Sequence, residues 1–222
     1  MCGRFSQNYS WTEIQRLANL IGEPRNLRPR YNIAPTSEID VICALAEGRS
    51  LRPMRWGLVP SWWKKPLNEL PSTFNARAET IAEKPMFRSA FKTRRCVIPV
   101  SGFYEWTGEK GSKTPHYFSA SCDEPLALAG LWEHWDDPVS GDELLSATII
   151  VGEASDWMRR YHDRMPVILD WSNVGDWLTG ANPGGLLRPA PDATLLEWIV
   201  SKRVNKAGAF DDDPTLVEPL FS

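Results

Sequence analysis

Arg95-Cys96-Val97-Ile98-Pro99-Val100-Ser101-Gly102-Phe103-Tyr104-Glu105-Trp106 is the stretch on which the fold turns. Rich in β-branched and aromatic residues, it reads as a strand-like run. Downstream of it, further strand-like runs follow at 115–120, 126–133, 145–151 and 165–169. Upstream, they occupy 39–46 and 51–58, with a short strand at 2–7. Ser10-Trp11-Thr12-Glu13 is a capping box, and Trp11, Ile14, Leu17, Ala18 and Ile21 follow at helical spacing, with Gly22 as the stop. Further helices are predicted near 79–92, 154–161 and 172–179. Strands outnumber helices without alternating regularly with them, which favours an α+β fold over a doubly wound parallel sheet. A Pro- and Arg-rich loop spans 23–30, and the Gly/Pro-rich residues 180–191 read as a surface loop. Asp211-Asp212-Asp213 and the rest of a C-terminal tail, 208–222, are expected to be solvated. No internal repeat is visible, and residues 2–222 read as one domain.

The chain has 222 residues, enough for a substantial core, and its 42% hydrophobic and 24% charged content is ordinary for a globular protein. No run approaches the roughly 18 apolar residues of a membrane span, and no basic-then-apolar leader opens the chain. A cytoplasmic monomer with no membrane partner is expected. Cys2, Cys43, Cys96 and Cys122 are far apart and read as free thiols; His116, His134 and His162 are equally scattered, so no metal site is predicted. Charge is uneven: residues 1–100 carry 16 Lys and Arg against 8 Asp and Glu, while 101–222 carry 9 against 20. An acidic protein with one basic half can still attract phosphate through one face. Several of the 11 tryptophans adjoin cations, as in Arg55-Trp56 and Trp62-Trp63-Lys64-Lys65. That pairing suits single-stranded nucleic acid, although core packing explains tryptophans equally well. Phosphate-loop, dinucleotide-binding and HExxH signatures are absent from the sequence.

Four segments carry distinctive chemistry. Cys2 follows Met1, and loss of that methionine leaves a thiol and an α-amine on adjacent carbons. Their unperturbed pKa values are roughly 8.5 and 7.7–8.0, close enough to neutral for either to become a nucleophile. Together they can close a five-membered thiazolidine ring on an aldehyde, which an internal cysteine cannot do. Asn75 and Arg77, two residues apart in an extended segment, point to one face. Glu105 lies between large aromatics near the end of an apolar run, where desolvation raises a carboxylate pKa and suits it to proton transfer. His162 sits in a predicted loop between helix and strand. Each has a plain structural explanation when taken singly, such as an Arg77–Glu79 ion pair.

Taken together and in order, Cys2-Gly3-Arg4, Arg30-Tyr31-Asn32-Ile33-Ala34-Pro35-Thr36, Trp56-Gly57-Leu58-Val59-Pro60 with Trp62-Trp63, Asn75-Ala76-Arg77-Ala78-Glu79-Thr80, Gly102-Phe103-Tyr104-Glu105-Trp106 and His162-Asp163-Arg164-Met165-Pro166 resemble the SRAP (SOS response-associated peptidase) family. The resemblance runs from Cys2 to about Leu169 and on to a final strand near 196–204; residues 180–191 match nothing in it. It implies an α+β domain on a curved, barrel-like, mainly antiparallel β core with flanking helices. It also implies a sensor of abasic sites in single-stranded DNA, including single-strand/duplex junctions, that crosslinks itself to the lesion and associates with the nucleoid when bound to DNA. Cys2 would be the nucleophile, Asn75 and Glu105 its companions, and His162 the proton-transfer group near the sugar. Arg4 and Arg77 would hold phosphates, with Pro35, Trp62, Trp63 and Trp106 against the strand. Self-removal of Met1 is the peptidase activity implied. The scheme requires no cofactor and no metal.

Other readings stay open. Glutamine amidotransferases with an N-terminal nucleophile also begin Met-Cys-Gly, but Arg4 stands where an aliphatic residue is usual, and no convincing Asn-Gly-Asp oxyanion segment follows. A non-catalytic single-strand-binding module and a thiol peptidase acting on other proteins are the remaining alternatives.

Overall fold

The computed structural model of the chain describes residues 2–109 and 111–220. In order, the elements are β1 (Phe5–Gln7), α1 (Trp11–Ala18), β2 (Arg30–Ile33), β3 (Glu38–Leu45), β4 (Gly48–Trp56), β5 (Asn75–Arg77), α2 (Arg88–Thr93), β6 (Arg95–Val100), β7 (Gly102–Thr107), β8 (Thr114–Ala120), β9 (Leu126–Asp136), β10 (Glu143–Glu153), β11 (Arg164–Pro166), β12 (Ile168–Leu169), α3 (Val174–Thr179) and β13 (Leu195–Ile199). Pairing runs from β10 to β4, β3, β6 and β9, and β9 returns to β10, so five strands close into a barrel. Closure leaves those strands no free edge. A second sheet, ordered β13-β8-β7-β1-β2, is antiparallel throughout. The α+β, barrel-like expectation holds.

The strand-like run at 95–106 is two strands, and the break is what joins the two sheets. Ser101-Gly102 ends β6 in the barrel and begins β7 in the second sheet. A Cβ on Gly102 would lie 2.5 Å from the Phe118 carbonyl oxygen, so only glycine fits this crossing. Two-residue alternation then divides the core. Cys43, Cys96, Leu128 and Ile149 face Cys2, Phe5, Phe103 and Phe118, whereas Ile42, Val97, Ala129 and Ile150 face Ile14 of α1, Ala90 of α2 and Trp177 of α3.

Helices are shorter than the sequence predicts. The Ser10 capping box forms, but α1 stops at Ala18 because Asn19 adopts φ 51° and caps it; Ile21 is exposed, its N–H bonded to the Arg49 carbonyl. The helix predicted over 79–92 resolves into a 3-10 turn at Ala78–Thr80 and the six-residue α2, separated by Pro85, which cannot continue a helix. Only Met158–Arg160 is helical in 154–161, and again as a 3-10 turn.

The C-terminal tail is also packed more closely than expected. Asp211 pairs with Arg30 at 2.6 Å and accepts the Asn32 backbone N–H at 3.0 Å; Asp213 takes Arg203 at 2.6 Å. Only Asp212 of the three remains largely exposed, 3.7 Å from Arg28. Sequence separation hid these partners, which lie on β2, the loop before it and the 202–205 turn. The surface segment 180–191 likewise returns to the core, with Ala190 buried and Leu186 and Leu187 packed on the helix-covered cluster. Asn32 anchors the tail. It is fully buried, accepts from Arg4 at 2.6 Å, and donates to the Lys206 and Ala209 carbonyls at 3.0 and 2.7 Å. Truncating it strands several buried polar groups. Asn32→Ala is expected to cost about 2–4 kcal/mol in urea denaturation, with the chain beyond Lys202 becoming readily cleaved in limited proteolysis.

Candidate active site

Cys2 is placed by the extension of β1 along β7. Phe5 pairs with Phe103, and the Tyr104 N–H donates to the Arg4 carbonyl at 2.9 Å, so the antiparallel register carries Gly3 towards Glu105. Cys2 itself is 0% exposed and belongs to the core shared by the two sheets. Burial pushes its thiol pKa well up, the Glu105 carboxylate pushes the same way, and the Arg4 backbone N–H opposes both. Asn75 closes the other side: its Nδ2 donates to the Cys2 carbonyl at 2.8 Å. The short β5 runs parallel to β10, with Ala76 buried against the helix-covered cluster and Asn75 and Arg77 on the opposite face. Arg77 is exposed, and its expected ion pair with Glu79 does not form. Glu79 is taken by Arg164.

Glu105 is 3% exposed, and burial lifts its carboxyl from 4.5 to about 7, with Asp163 raising it further and Lys113 opposing. His162 lies between the 158–160 turn and β11, in the loop position the sequence predicts. β11 and β5 flank the same end of β10, since Val151 pairs with both Arg77 and Pro166. Burial lowers the His162 pKa. Its Nδ1 accepts the Arg164 backbone N–H at 2.9 Å and lies 2.7 Å from an Asp163 oxygen. One nitrogen cannot accept from the first and donate to the second. The lowered pKa selects the neutral ring, with Nδ1 accepting and Nε2 carrying the proton. Asp163 becomes a partner only when the ring is protonated.

Arg4 and Trp106 are placed differently from these four residues. Alternation along β7 puts Glu105 on one face and Tyr104 and Trp106 on the other. The Arg4 guanidinium lies 5.7 Å from the centre of the Trp106 ring, donates to Asn32 and to the Val204 carbonyl, and has its pKa lowered by burial; Trp106 donates to Asn205 at 2.6 Å. Both line an open concavity of 370 Å³ with Gly111, Lys113 and Asn205. Pro35 is half-buried in the turn after β2, Trp63 is half-buried with its carbonyl accepting from Trp135, and Trp62 beside it is 50% exposed. A concavity of 740 Å³ between residues 120–127, 168–173 and 186–194 includes none of the predicted site residues.

A family model described as SOS response associated peptidase (SRAP) matches residues 1–207. The chain belongs to the SRAP family. Its relatives include the abasic site processing protein YoqW of Bacillus subtilis (strain 168), 34% identical over 98% of this chain and 99% of that protein. Another is the abasic site processing protein HMCES of Xenopus tropicalis, 34% identical over 71% of this chain and 56% of the longer relative. Among solved structures, a Bordetella bronchiseptica protein is 27% identical with a TM-score of 0.78, covering 90% of this chain and all of that one. A Bacteroides thetaiotaomicron protein shares the fold at TM-score 0.87 and 24% identity, over 99% and 100% of the two chains.

Within this SRAP domain, sequence reasoning missed Lys113. It lines the Arg4–Trp106 concavity and acts electrostatically on both Glu105 and His162. No motif flags it, because it sits in the β7–β8 hairpin, outside the quoted segments. Among the described residues, His134, Asp136 and Glu143 bring possible metal-ligand atoms within 4.8 Å of one another. His134 is half-buried and Asp136 and Glu143 are exposed at the turn end of the β9–β10 hairpin, with His134 Nε2 3.4 Å from Asp136 on its own strand and 3.7 Å from Glu143 on the next. No helix among the described residues is long and apolar enough to cross a membrane.

Holding Glu105 in this site has a thermodynamic consequence. Its folded pKa of about 7 exceeds the ordinary 4.5, so the folded state holds the proton more tightly than the unfolded chain does. Stability therefore falls as pH rises from about 4.5 to 7 and is flat in this respect above that, with a total cost of roughly 3 kcal/mol. Glu105→Gln is expected to remove that slope and to be the more stable protein at pH 8, as read from urea midpoints at pH 5 and 8.

Proposed function

We propose that this SRAP protein processes abasic sites in single-stranded DNA by capturing them covalently through Cys2. The reading rests on the gathering of Cys2, Asn75 and Glu105 in one buried site, with a carboxyl that titrates near neutrality. The names of relatives such as YoqW and HMCES support it.

Hydrolysis of the Met1–Cys2 peptide, which this chain is proposed to carry out on itself, frees the α-amine. The abasic deoxyribose exchanges between a closed hemiacetal and an open aldehyde, and His162 assists opening by exchanging a proton at the ring oxygen. The unprotonated amine then adds to the aldehyde carbon, and loss of one water gives a Schiff base. Glu105 takes the proton released by the amine; at a pKa of about 7 it can also return one. Asn75, already bonded to the Cys2 carbonyl, holds the nucleophile without adding charge. The Cys2 thiol finally adds across the C=N bond, sulfur to carbon and proton to nitrogen, closing the thiazolidine. A bare Schiff base promotes β-elimination and strand breakage, so ring closure protects the strand. The raised thiol pKa suits this order, since sulfur attacks second and intramolecularly, where local concentration offsets a low thiolate fraction.

Binding before capture is assigned to exposed Arg77 on phosphate and to Trp62 and Trp63, whose rings lie 6.1 Å apart, as stacking surfaces. Strands at single-strand/duplex junctions are proposed to use the same surfaces.

Purified protein incubated with a single-stranded oligonucleotide carrying one abasic site should give a slower band on a denaturing gel. Its mass should equal Met1-less protein plus DNA minus one water, and Cys2→Ala should abolish it. No covalent species from protein verified to lack Met1 would sink the proposal. From pH 6 to 8, ionisation of Glu105 through about 7 should by itself raise the crosslinking rate about tenfold, on top of the rise from deprotonation of the α-amine. Glu105→Gln should be slower and retain only the inflection of the α-amine, near 7.7–8.0.

A further inference from the structure

Beside the site lies a half-buried polar chain, with His116 buried at its centre, that the scheme above does not use. Thr107 Oγ1 is 2.7 Å from His116 Nε2, His116 Nδ1 is 2.5 Å from Glu197 Oε1, and the Tyr161 hydroxyl donates to Glu197 Oε2 at 3.0 Å. Hydrogen bonds thus run unbroken from Thr107 through the His116 ring to Glu197 and on to Tyr161, whose hydroxyl donates. The ends of this chain are informative. Thr107 is two residues beyond Glu105 on the same face of β7, and Tyr161 immediately precedes His162.

The turn carrying His162 is short and held by a few contacts, among them Trp157 packed 5.8 Å from Phe118 and the Arg164 N–H donating to His162 Nδ1. Only Met158–Arg160 is helical, and Asp156, Arg159 and Asp163 are solvent-exposed. Further anchors are the buried Met158, the Ser155 hydroxyl accepting the Met158 N–H, the Ala154–Asp163 and His162–Met158 backbone bonds, and Tyr161. The Tyr161 ring packs 5.0 Å from His116, 5.0 Å from Phe118 and 5.6 Å from Trp157.

We propose that Glu197, bridging His116 and Tyr161, is a positioning residue that ties the His162 turn to the Glu105 strand and so sets the spacing of the two proton-handling groups. Resting on the crosslinking reading for its catalytic meaning, the inference adds β13, the strand that supplies Glu197, to the working parts of the site. A displacement of the order of an ångström between groups that must share one sugar is enough to cost a large rate factor.

Tyr161→Phe removes only the hydroxyl and keeps the ring packing, so it serves as the primary variant; Glu197→Gln is the second. Crosslinking by each is expected to slow by about fivefold to tenfold, with the thermal midpoint of Tyr161→Phe and its affinity for DNA carrying a non-reactive tetrahydrofuran analogue unchanged. Tyr161→Phe combined with His162→Ala should be no slower than His162→Ala alone, because the hydroxyl acts through the imidazole. The His162 ring, titrated by NMR in the free protein, should move up towards its ordinary pKa in Tyr161→Phe, since the lowered value depends on being held in the site. Additive losses in the double variant, an unaltered crosslinking rate or an unmoved His162 titration would each overturn the inference. If the wild-type protein forms no crosslink, the proposed function fails on its own, and the NMR titration still decides whether Tyr161 and Glu197 hold His162 in place.

Discussion

The whole arrangement hangs on β10. This eleven-residue strand pairs antiparallel with β9 along most of its length, parallel with β4 and β5, and antiparallel with β11 at its end. Its pairing with β9 and β4 closes the barrel, and its pairing with β5 and β11 brings the segment of Asn75 and the segment after His162 to one place. Backbone hydrogen bonding does both jobs, so the barrel and the site share one scaffold. A reactive centre needs such rigidity, because proton transfer falls off steeply with misplacement.

Burial then sets the chemistry. Cys2 and Glu105 lie where water is excluded, and desolvation raises the pKa of both. For the carboxyl this brings titration near neutrality, the range in which a group can both take and give a proton. For the thiol it lowers the thiolate fraction near neutral pH. The opposite face of β7 is a different environment: Arg4, Trp106, Asn32 and the tail interlock there, and Arg4 spends two of its hydrogen bonds on the protein itself. The acidic half of the chain thus folds back partly onto the basic half, with Asp211 and Asp213 held by Arg30 and Arg203.

Local pattern was read best where local physics dominates. The strands of the barrel fall within a few residues of their predicted spans, because alternating or continuous apolar runs report burial directly. Helices were overread wherever apolar spacing crossed a breaker: Pro85 divides one, and the left-handed Asn19 ends another before Ile21. The 95–106 run was seen as one strand because nothing in its composition says that Gly102 passes close against Phe118 and hands the chain to a second sheet.

By itself, the sequence determined the α+β class and the SRAP family, and it singled out Cys2, Asn75, Glu105 and His162. Each of these is an unusual group in a short, constrained segment, and that much is a local property. Only the tertiary structure decided that Asn75 holds the Cys2 carbonyl, that Glu105 titrates near 7, that Arg4 is engaged with Asn32, and that Lys113 and the Thr107–His116–Glu197–Tyr161 chain surround the site. These depend on desolvation and on contacts between residues far apart in the chain, such as Cys2 and Asn75 or His116 and Glu197. Neither is encoded in any window of sequence that can be read locally.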